Sequence, residues 1–174
     1  MSDPAEGVEL VVAARSGDRN AFGRLYELYG RMVHGVLLSR VPRGQVEDLV
    51  QDVFLSALSR LGSLRDPERF GGWLVMIARN RAIDFHRRSR DTVEIDDNLP
   101  GPDSGTDPEA LTALAALRTL PEAYRETLVL RLVEGMTGPE IAARTGMTEG
   151  SVRVNLHRGM KQLRAKLGIE IGHE

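Results

Sequence analysis

The sequence contains no cysteine among its 174 residues, and aromatic residues make up only 5% of it. The lack of cysteine excludes disulfide bonds and thiolate metal ligands, as is common in a reducing compartment. No segment approaches the run of about 20 apolar residues that a membrane span requires. Residues 1–7 also lack the apolar centre of a signal peptide. We therefore expect a cytoplasmic protein without membrane insertion.

The small net charge of −2 conceals three strongly charged segments. Residues 79–90 hold five arginines and one acid, and residues 153–166 hold five basic residues and no acid. Between them, residues 91–109 hold seven acidic residues and no base. The distribution of charge along the sequence indicates binding partners better than the net charge does. The two basic segments can therefore form cationic surfaces that bind nucleic acid, although the net charge is slightly negative.

The apolar residues recur at helical spacing, and no segment has the alternating pattern of a strand. The segment 91–108, which is rich in proline, glycine and acidic residues, has no apolar face to bury. These patterns predict an all-α fold of two small helical domains, residues 7–90 and 109–168, joined by a flexible acidic linker over 91–108. The individual helices are expected at 8–15, from the cap Asp18 to the break at Pro42, from Glu47 to Leu61 with Leu58 in its buried stripe, from Phe70 to about Arg88, from Pro108 with Asp107 as its cap to Leu120, and from Pro121 to Glu134.

The segment Thr137–Lys161 has the pattern of two short helices joined by a tight turn. Thr137 and Glu140 form a capping box, Gly146 suits a left-handed helix end, and Thr148 can cap the second helix. This layout is that of a DNA-binding helix-turn-helix, in which the second helix enters the major groove. An ordinary helical hairpin with a solvated basic face is the alternative. The candidate DNA-binding residues of the second helix are Ser151, Arg153, Asn155, His157, Arg158 and Lys161.

Two further surfaces allow more than one interpretation from spacing alone. Asp48, Gln51 and Asp52 are neighbours on one helix face, which is either solvated or a docking surface for a basic partner. The helix after Phe70 combines an apolar side with arginines, Asn80 and Phe85. Such a set can bind single-stranded nucleic acid by phosphate contacts and stacking, or Phe85 can belong to the core.

No catalytic constellation is evident. The four histidines are far apart in the sequence, and there is no metalloprotease motif, glycine-rich phosphate loop or nucleophile elbow. We therefore expect no enzymatic activity, no catalytic residue, no metal and no cofactor.

Taken together, several segments closely resemble the extracytoplasmic-function (ECF) branch of the bacterial RNA polymerase sigma factors. They are GDRNAFGRLYELYG, VEDLVQDVFLSAL and FGGWLVMIARNRAIDFHRRSR, followed after the acidic segment by LRTLPEAYRETLVLRLVEGMTGPEIAARTGMTEGSVRVNLHRGMKQLR. The resemblance covers residues 9–167. It implies a promoter-specificity subunit that binds core RNA polymerase and directs transcription initiation.

The resemblance also implies partners and residue roles. The first domain, similar to sigma region 2, would dock on the clamp helices of the beta-prime subunit. It would also melt and bind the single-stranded minus-ten element. The second domain, similar to region 4, would bind the double-stranded minus-thirty-five element and the beta flap. The implied polymerase-binding residues are Asp48, Gln51, Asp52 and Phe54, and the implied minus-ten residues are Arg65, Asp66, Arg79, Asn80, Arg87 and Arg88.

The resemblance further implies an anti-sigma factor as a partner. One departure is that family members commonly carry a basic residue where this chain has Asn155 and a small polar one where it has Val154. Promoter preference therefore should not be copied from a relative. Two other classes remain open from the residues: a helix-turn-helix regulator that acts without polymerase, and a helical interaction protein such as an RNA-binding adaptor.

Overall fold

The computed structural model describes residues 4–91 and 107–169, so residues 92–106 of the predicted linker lie outside the described part. Within these ranges the chain is helical, without strands, as the sequence predicts. The α-helices are α1 (Pro4–Arg15), α2 (Arg19–Leu38), α3 (Val46–Arg60), α4 (Phe70–Asp91), α5 (Pro108–Arg118), α6 (Glu122–Leu132), α7 (Gly138–Thr145) and α8 (Glu149–Lys166). Short 3-10 turns occur at Arg43–Gln45, Leu61–Ser63 and Pro67–Arg69.

Helices α1–α4 form a first bundle around α2, which contacts the three others. The predicted cap of α2 is present, because the Asp18 carboxylate accepts hydrogen bonds from the backbone N–H groups of Asn20 and Ala21 at 2.9 and 3.2 Å. Its apolar stripe is buried against α3 and α4. The core of this bundle includes Leu25, Val33, Val36, Leu37, Val53, Phe70 and Leu74.

Helices α5–α8 form a second bundle in which α8 packs on α6 and α7. Asp107 and Pro108 begin α5 as cap and first residue, as predicted. Leu128, Ile141 and Val152 are fully buried at its centre. These residues lie beneath the helix-turn-helix and belong to the same hydrophobic cluster as the core of the first bundle.

Several local expectations need correction. Helix α1 begins at Pro4 rather than Val8, and α6 ends at Leu132 rather than Glu134, because the chain turns toward Gly135 at φ 68°. Leu58, expected in the buried stripe of α3, is 49% exposed, because it lies at the edge of the stripe that Phe54, Ala57 and Leu61 form. The differences in α1 and α6 concern only the ends of the helices. The exposure of Leu58 adds to the exposed apolar surface of α3.

The two bundles also touch each other, with α6 and α7 lying against α2 and α4. Two glycines make the close approach possible. A Cβ on Gly71 would lie 2.1 Å from the backbone oxygen of Arg144, and one on Gly35 would lie 2.6 Å from Cδ2 of Leu130. We call this contact between the bundles the closed arrangement.

Candidate nucleic-acid and polymerase interfaces

The helix-turn-helix is formed by α7 and α8, and its local signals are those expected from the sequence. Both bonds of the capping box are present: Glu140 N–H donates to Thr137 Oγ1 at 3.3 Å, and Thr137 N–H donates to Glu140 Oε2 at 2.7 Å. Gly146 ends α7 with φ 76°, and Ser151 N–H donates to Thr148 Oγ1 at 3.1 Å at the start of α8. The starts of both helices are thus fixed by contacts between residues three positions apart.

A glycine that sequence reasoning passed over sets the position of α8. A Cβ on Gly159 would lie 2.9 Å from Cδ1 of Leu128 and 3.0 Å from Cβ of Tyr124. Helix α8 therefore crosses α6 at a distance that only glycine permits. A glycine in the middle of an otherwise good helix is the signal that could have indicated it.

Most of the candidate DNA-binding residues of α8 share one exposed face, which we call the reading face. It consists of Ser151, Arg153, His157, Arg158 and Lys161. Asn155 is placed differently: it is half-buried, and its amide points to Thr127 Oγ1 on α6 at 3.5 Å. Val154, 44% exposed, lies in the middle of the reading face, three or four residues from Ser151, His157 and Arg158.

Helix α4 has an exposed face that mixes polar and apolar groups. Asn80 lies between Met76 and Ile83, which are 60% and 51% exposed, and Arg87 follows one turn later. Arg88 is also exposed near the end of the helix. Large apolar side chains beside an amide and arginines offer stacking surface, base-edge hydrogen bonding and phosphate contacts together.

The loop before α4 carries the other two minus-ten candidates. Arg65 and Asp66 are both exposed. The Asp66 carboxylate accepts a hydrogen bond from Glu68 N–H at 3.0 Å and pairs with Arg69 at 3.5 Å. Asp66 thus has a structural role in ordering the turn that precedes α4.

Helix α3 presents a polar face with an apolar centre. Asp48, Gln51 and Asp52 are exposed, and Leu55, 65% exposed, lies among them one turn on. We call these four residues the docking face. Phe54 faces the other way: it is buried, with its ring 4.5 Å from that of Tyr26 and 6.4 Å from that of Phe22, centroid to centroid. It therefore supports α3 from within and offers little surface to a partner.

Arg79, a minus-ten candidate, is engaged by the second bundle. Its Nε and Nη2 donate to the two carboxylate oxygens of Glu126 at 3.1 and 2.6 Å. Arg40 donates to Glu126 Oε2 at 2.8 Å and also pairs with Glu122. We call these four residues the interdomain cluster. Glu126 is only 3% exposed.

The pKa directions follow from this geometry. Burial raises the pKa of the Glu126 carboxyl, but the hydrogen bonds and charges of Arg79 and Arg40 outweigh burial and lower it overall. The bond from Glu126 likewise raises the pKa of Arg79. A second contact joins His34 on α2 to Glu134, whose hydrogen bond raises the pKa of the imidazole against the opposing effect of burial.

The described residues contain neither a group of three or more histidines and acids placed to hold a metal ion nor a helix long and apolar enough to cross a bilayer. What the geometry offers is a set of exposed binding faces on two helical bundles.

Comparison with known proteins identifies both bundles. The family model described as "Sigma-70 region 2" matches residues 25–92, and the model described as "Sigma-70, region 4" matches residues 111–163.

Curated relatives include sigma factor CarQ of Myxococcus xanthus, 36% identical across 88% of this chain and 93% of its own length. ECF sigma factor SigD of Mycobacterium tuberculosis is 34% identical across 96% of this chain and 87% of its own. Another, ECF sigma factor BldN of Streptomyces coelicolor, is 34% identical across 93% of this chain, which spans 66% of that relative.

A solved structure, CnrH in complex with the cytosolic domain of CnrY, is similar with a TM-score of 0.64 at 28% identity, over 95% of this chain and 99% of that one. The helix order, the helix-turn-helix and these relatives lead to one conclusion: the chain belongs to the ECF family of bacterial RNA polymerase sigma factors.

Proposed function

We propose that this protein is a dissociable promoter-specificity subunit that recruits core RNA polymerase to a defined set of promoters. The observation that carries the proposal is the presence on one chain of three separate exposed faces, on α3, α4 and α8. A regulator that only binds duplex DNA would need only the face on α8. The protein then contributes binding energy and DNA opening, with no chemistry of its own.

The docking face binds the clamp helices of the beta-prime subunit in this proposal. Asp48, Gln51 and Asp52 surround exposed Leu55, so a partner helix can bury the leucine while its arginines or lysines pair with the carboxylates. Charge at the rim of such a contact steers association, and the apolar centre supplies most of the affinity. Phe54 acts from inside the bundle by holding α3 in place.

The exposed face of α4 and the loop with Arg65 and Asp66 bind the minus-ten element as a single strand. In this proposal Asn80 hydrogen-bonds a base edge, and its exposed neighbours Met76 and Ile83 provide apolar surface for unstacked bases. Arg79, Arg87 and Arg88 supply phosphate contacts. Extruding a base from the duplex costs a few kcal/mol, which such contacts can offset.

The reading face binds the minus-thirty-five element in the major groove. Arg153 and Arg158 can bind a guanine edge or a phosphate, and Ser151 stands near the N-terminus of α8, where a phosphate is favoured. Because Asn155 points toward Thr127, we assign it to packing rather than to base recognition. The second bundle also contacts the beta flap in this proposal.

We also propose cytoplasmic action in a bacterium and control by an anti-sigma factor. The structures titled CnrH with the cytosolic domain of CnrY and RpoE with the anti-sigma factor NepR from Bartonella quintana support such a partner, the second by fold alone at 22% identity. The domain bounds 7–90 and 109–168, with a linker between them, remain part of the proposal.

In vitro transcription tests the proposal. Purified core polymerase is given a library of genomic fragments with and without this protein, and the 5′ ends of the transcripts are sequenced. We expect defined start sites that require the protein and share two upstream motifs. Specific binding of the protein alone to duplex DNA, without directed initiation, would instead indicate a conventional helix-turn-helix regulator.

A further inference from the structure

We infer that Val154 helps to determine promoter specificity by packing against the C5 methyl group of one thymine in the minus-thirty-five element. This inference deepens the proposed function of the reading face and rests on it. Of the residues that the structure describes in α8, Val154 is the only large apolar side chain that is exposed, at 44%. An apolar group at that place calls for a partner of matching chemistry.

The packing of α8 determines which of its side chains face outward. Val152, Gly159 and Leu163 are the buried residues of this helix. Because successive residues of a helix are rotated by about 100°, Val154 lies within about 40° of the direction opposite to each of these three. Val154 therefore projects from the side of α8 that lies farthest from the core.

Contacts with α6 hold α8 in this rotation. The backbone at Gly159 lies so close to α6 that a Cβ there would be 2.9 Å from Cδ1 of Leu128. The side chain of Asn155, the residue after Val154, points to Thr127 Oγ1 on the same helix, 3.5 Å away. A helix that rests on another along its bare backbone cannot roll far without a clash, so the outward direction of Val154 is fixed.

Polar and cationic side chains surround Val154 on the reading face. Ser151, His157 and Arg158 lie three or four residues away along the helix, and Arg153 is adjacent; all four are exposed. Val154 is also within the first two turns of α8, and the N-terminal part of a recognition helix is the part that contacts base edges. When the cations bind the phosphates and bases around it, Val154 is brought against the floor of the groove.

The chemistry of valine narrows the choice of base. Its side chain has neither a donor nor an acceptor, and in the major groove thymine alone presents a methyl group. Packing on that methyl group removes apolar surface from water on both sides. Packing on an amino group or a lone acceptor would instead displace water without supplying a hydrogen bond, which is unfavourable. Both effects favour thymine at the position that Val154 faces.

Deoxyuridine provides the test, because it differs from thymidine only by the missing methyl group. The holoenzyme is assembled from core polymerase and the full chain and bound to a promoter obtained from the transcription assay. Each thymine of the minus-thirty-five element is replaced in turn by deoxyuridine, and the dissociation constant is measured by competition against the unmodified promoter.

Two serine variants accompany the wild-type protein. Val154→Ser removes both methyl groups, and the two residue types have similar helix propensities. Val12→Ser is the matched control, because Val12 is 50% exposed in the middle of α1, which belongs to the first bundle. Circular dichroism verifies that both variants retain their helix content.

We expect one thymine at which deoxyuridine weakens binding about fourfold for wild type and for Val12→Ser, the ratio that corresponds to one buried methyl group. At that position Val154→Ser should show a ratio of about one. Equal ratios in wild type and Val154→Ser would mean that another residue contacts the methyl group, and would overturn the inference. The absence of an effect at every thymine would overturn it as well.

A gain of binding can be measured on the wild-type protein without any variant. Cytosine in place of the sensitive thymine should weaken binding, and 5-methylcytosine should recover about fourfold, because it restores a methyl group at the same ring position. No difference between cytosine and 5-methylcytosine would overturn the inference even if Val154→Ser loses its fold.

The inference and the proposed function can fail separately. If initiation occurs at defined promoters but no methyl group affects binding, the inference fails and the proposed function stands. If the protein directs no initiation but binds a specific duplex alone, the proposed function fails, and the same deoxyuridine series on that duplex decides the role of Val154. A protein that binds no specific duplex in either assay would overturn both.

Discussion

Replacing Glu126 with glutamine removes the charge of the interdomain cluster while keeping the shape of the side chain. Glu126 accepts three hydrogen bonds, from Arg40 at 2.8 Å and from Arg79 at 2.6 and 3.1 Å. A neutral amide can accept with one atom only, and its NH₂ group faces the cations. Both arginines then lose their shared counter-ion.

The expected loss is smaller than for a fully buried pair. Removing one partner of such a pair costs about 3–5 kcal/mol. Here, however, the Arg79 side chain is 38% exposed and can turn to water, and Arg40 retains Glu122. We therefore expect the lower range for hydrogen bonds to charged groups, about 2 kcal/mol. This loss would lower the equilibrium constant for the closed arrangement about thirtyfold, since 1.4 kcal/mol corresponds to a factor of ten.

A double-mutant cycle with Glu126→Gln and Arg79→Gln measures the pair directly by urea unfolding. We expect a coupling energy of about 1–2 kcal/mol. The exposed pair of Asp84 and Arg87, 3.8 Å apart on α4, is the control and should couple by less than about 0.5 kcal/mol. A Glu126–Arg79 coupling no larger than the control would refute the reasoning.

The pH dependence of Glu126→Gln gives an independent check. Because the folded-state pKa of Glu126 is lowered, its contribution is present above its ordinary value of 4.5 and is lost as the pH falls through the lowered value. The glutamine variant should lose less stability than wild type on acidification. Parallel curves for the two proteins would contradict the assignment.

Four further outcomes are expected. Asp48→Arg combined with Asp52→Arg should abolish copurification with core polymerase at unchanged helix content, and retained copurification would place docking elsewhere. Arg158→Ala should weaken promoter binding by the holoenzyme by about 1–3 kcal/mol if Arg158 contacts a base, or lower the slope of log binding constant against log salt concentration by about one if it contacts a phosphate. If neither effect is observed, Arg158 does not belong to the DNA-binding surface. Asn80→Ala should slow promoter opening, measured by permanganate footprinting, more than initial binding, whereas equal losses would contradict its role. Because its interdomain hydrogen bond raises the pKa of His34, its contribution to the closed arrangement should be full below about 6.5 and should be lost as the pH rises through the raised value. His34→Gln should make the radius of gyration from small-angle scattering less dependent on pH, and a wild-type radius that does not change with pH would contradict this.

The sequence predicted the local features well because their causes lie within a few residues. The cap at Asp18, the capping box at Thr137 and the left-handed Gly146 each depend on one turn of chain. Helical periodicity likewise predicted that the described segments form helices rather than strands. The resemblance to the family then followed both from the amino-acid sequences of several segments and from the order of those segments along the chain.

The contacts between the bundles were not predictable in this way. Glu126 lies 86 residues from Arg40 and 47 from Arg79, and in the sequence it resembles any solvated glutamate of a surface helix. Phe54 illustrates the same limit, since periodicity places it beside the docking face but cannot say that its ring turns inward. Only the packed structure distinguishes such residues from their exposed neighbours.

The close crossing of α8 over α6 bears on how promoter preference evolves. Gly159 follows Arg158 directly, and its bare backbone rests on Leu128 and Tyr124. A Cβ there would lie 2.9 Å from Cδ1 of Leu128 and 3.0 Å from Cβ of Tyr124, so α8 or these side chains must shift to accommodate it. Under the proposed function, the bases that this protein prefers would depend partly on Gly159, which is buried against α6 rather than exposed on the reading face.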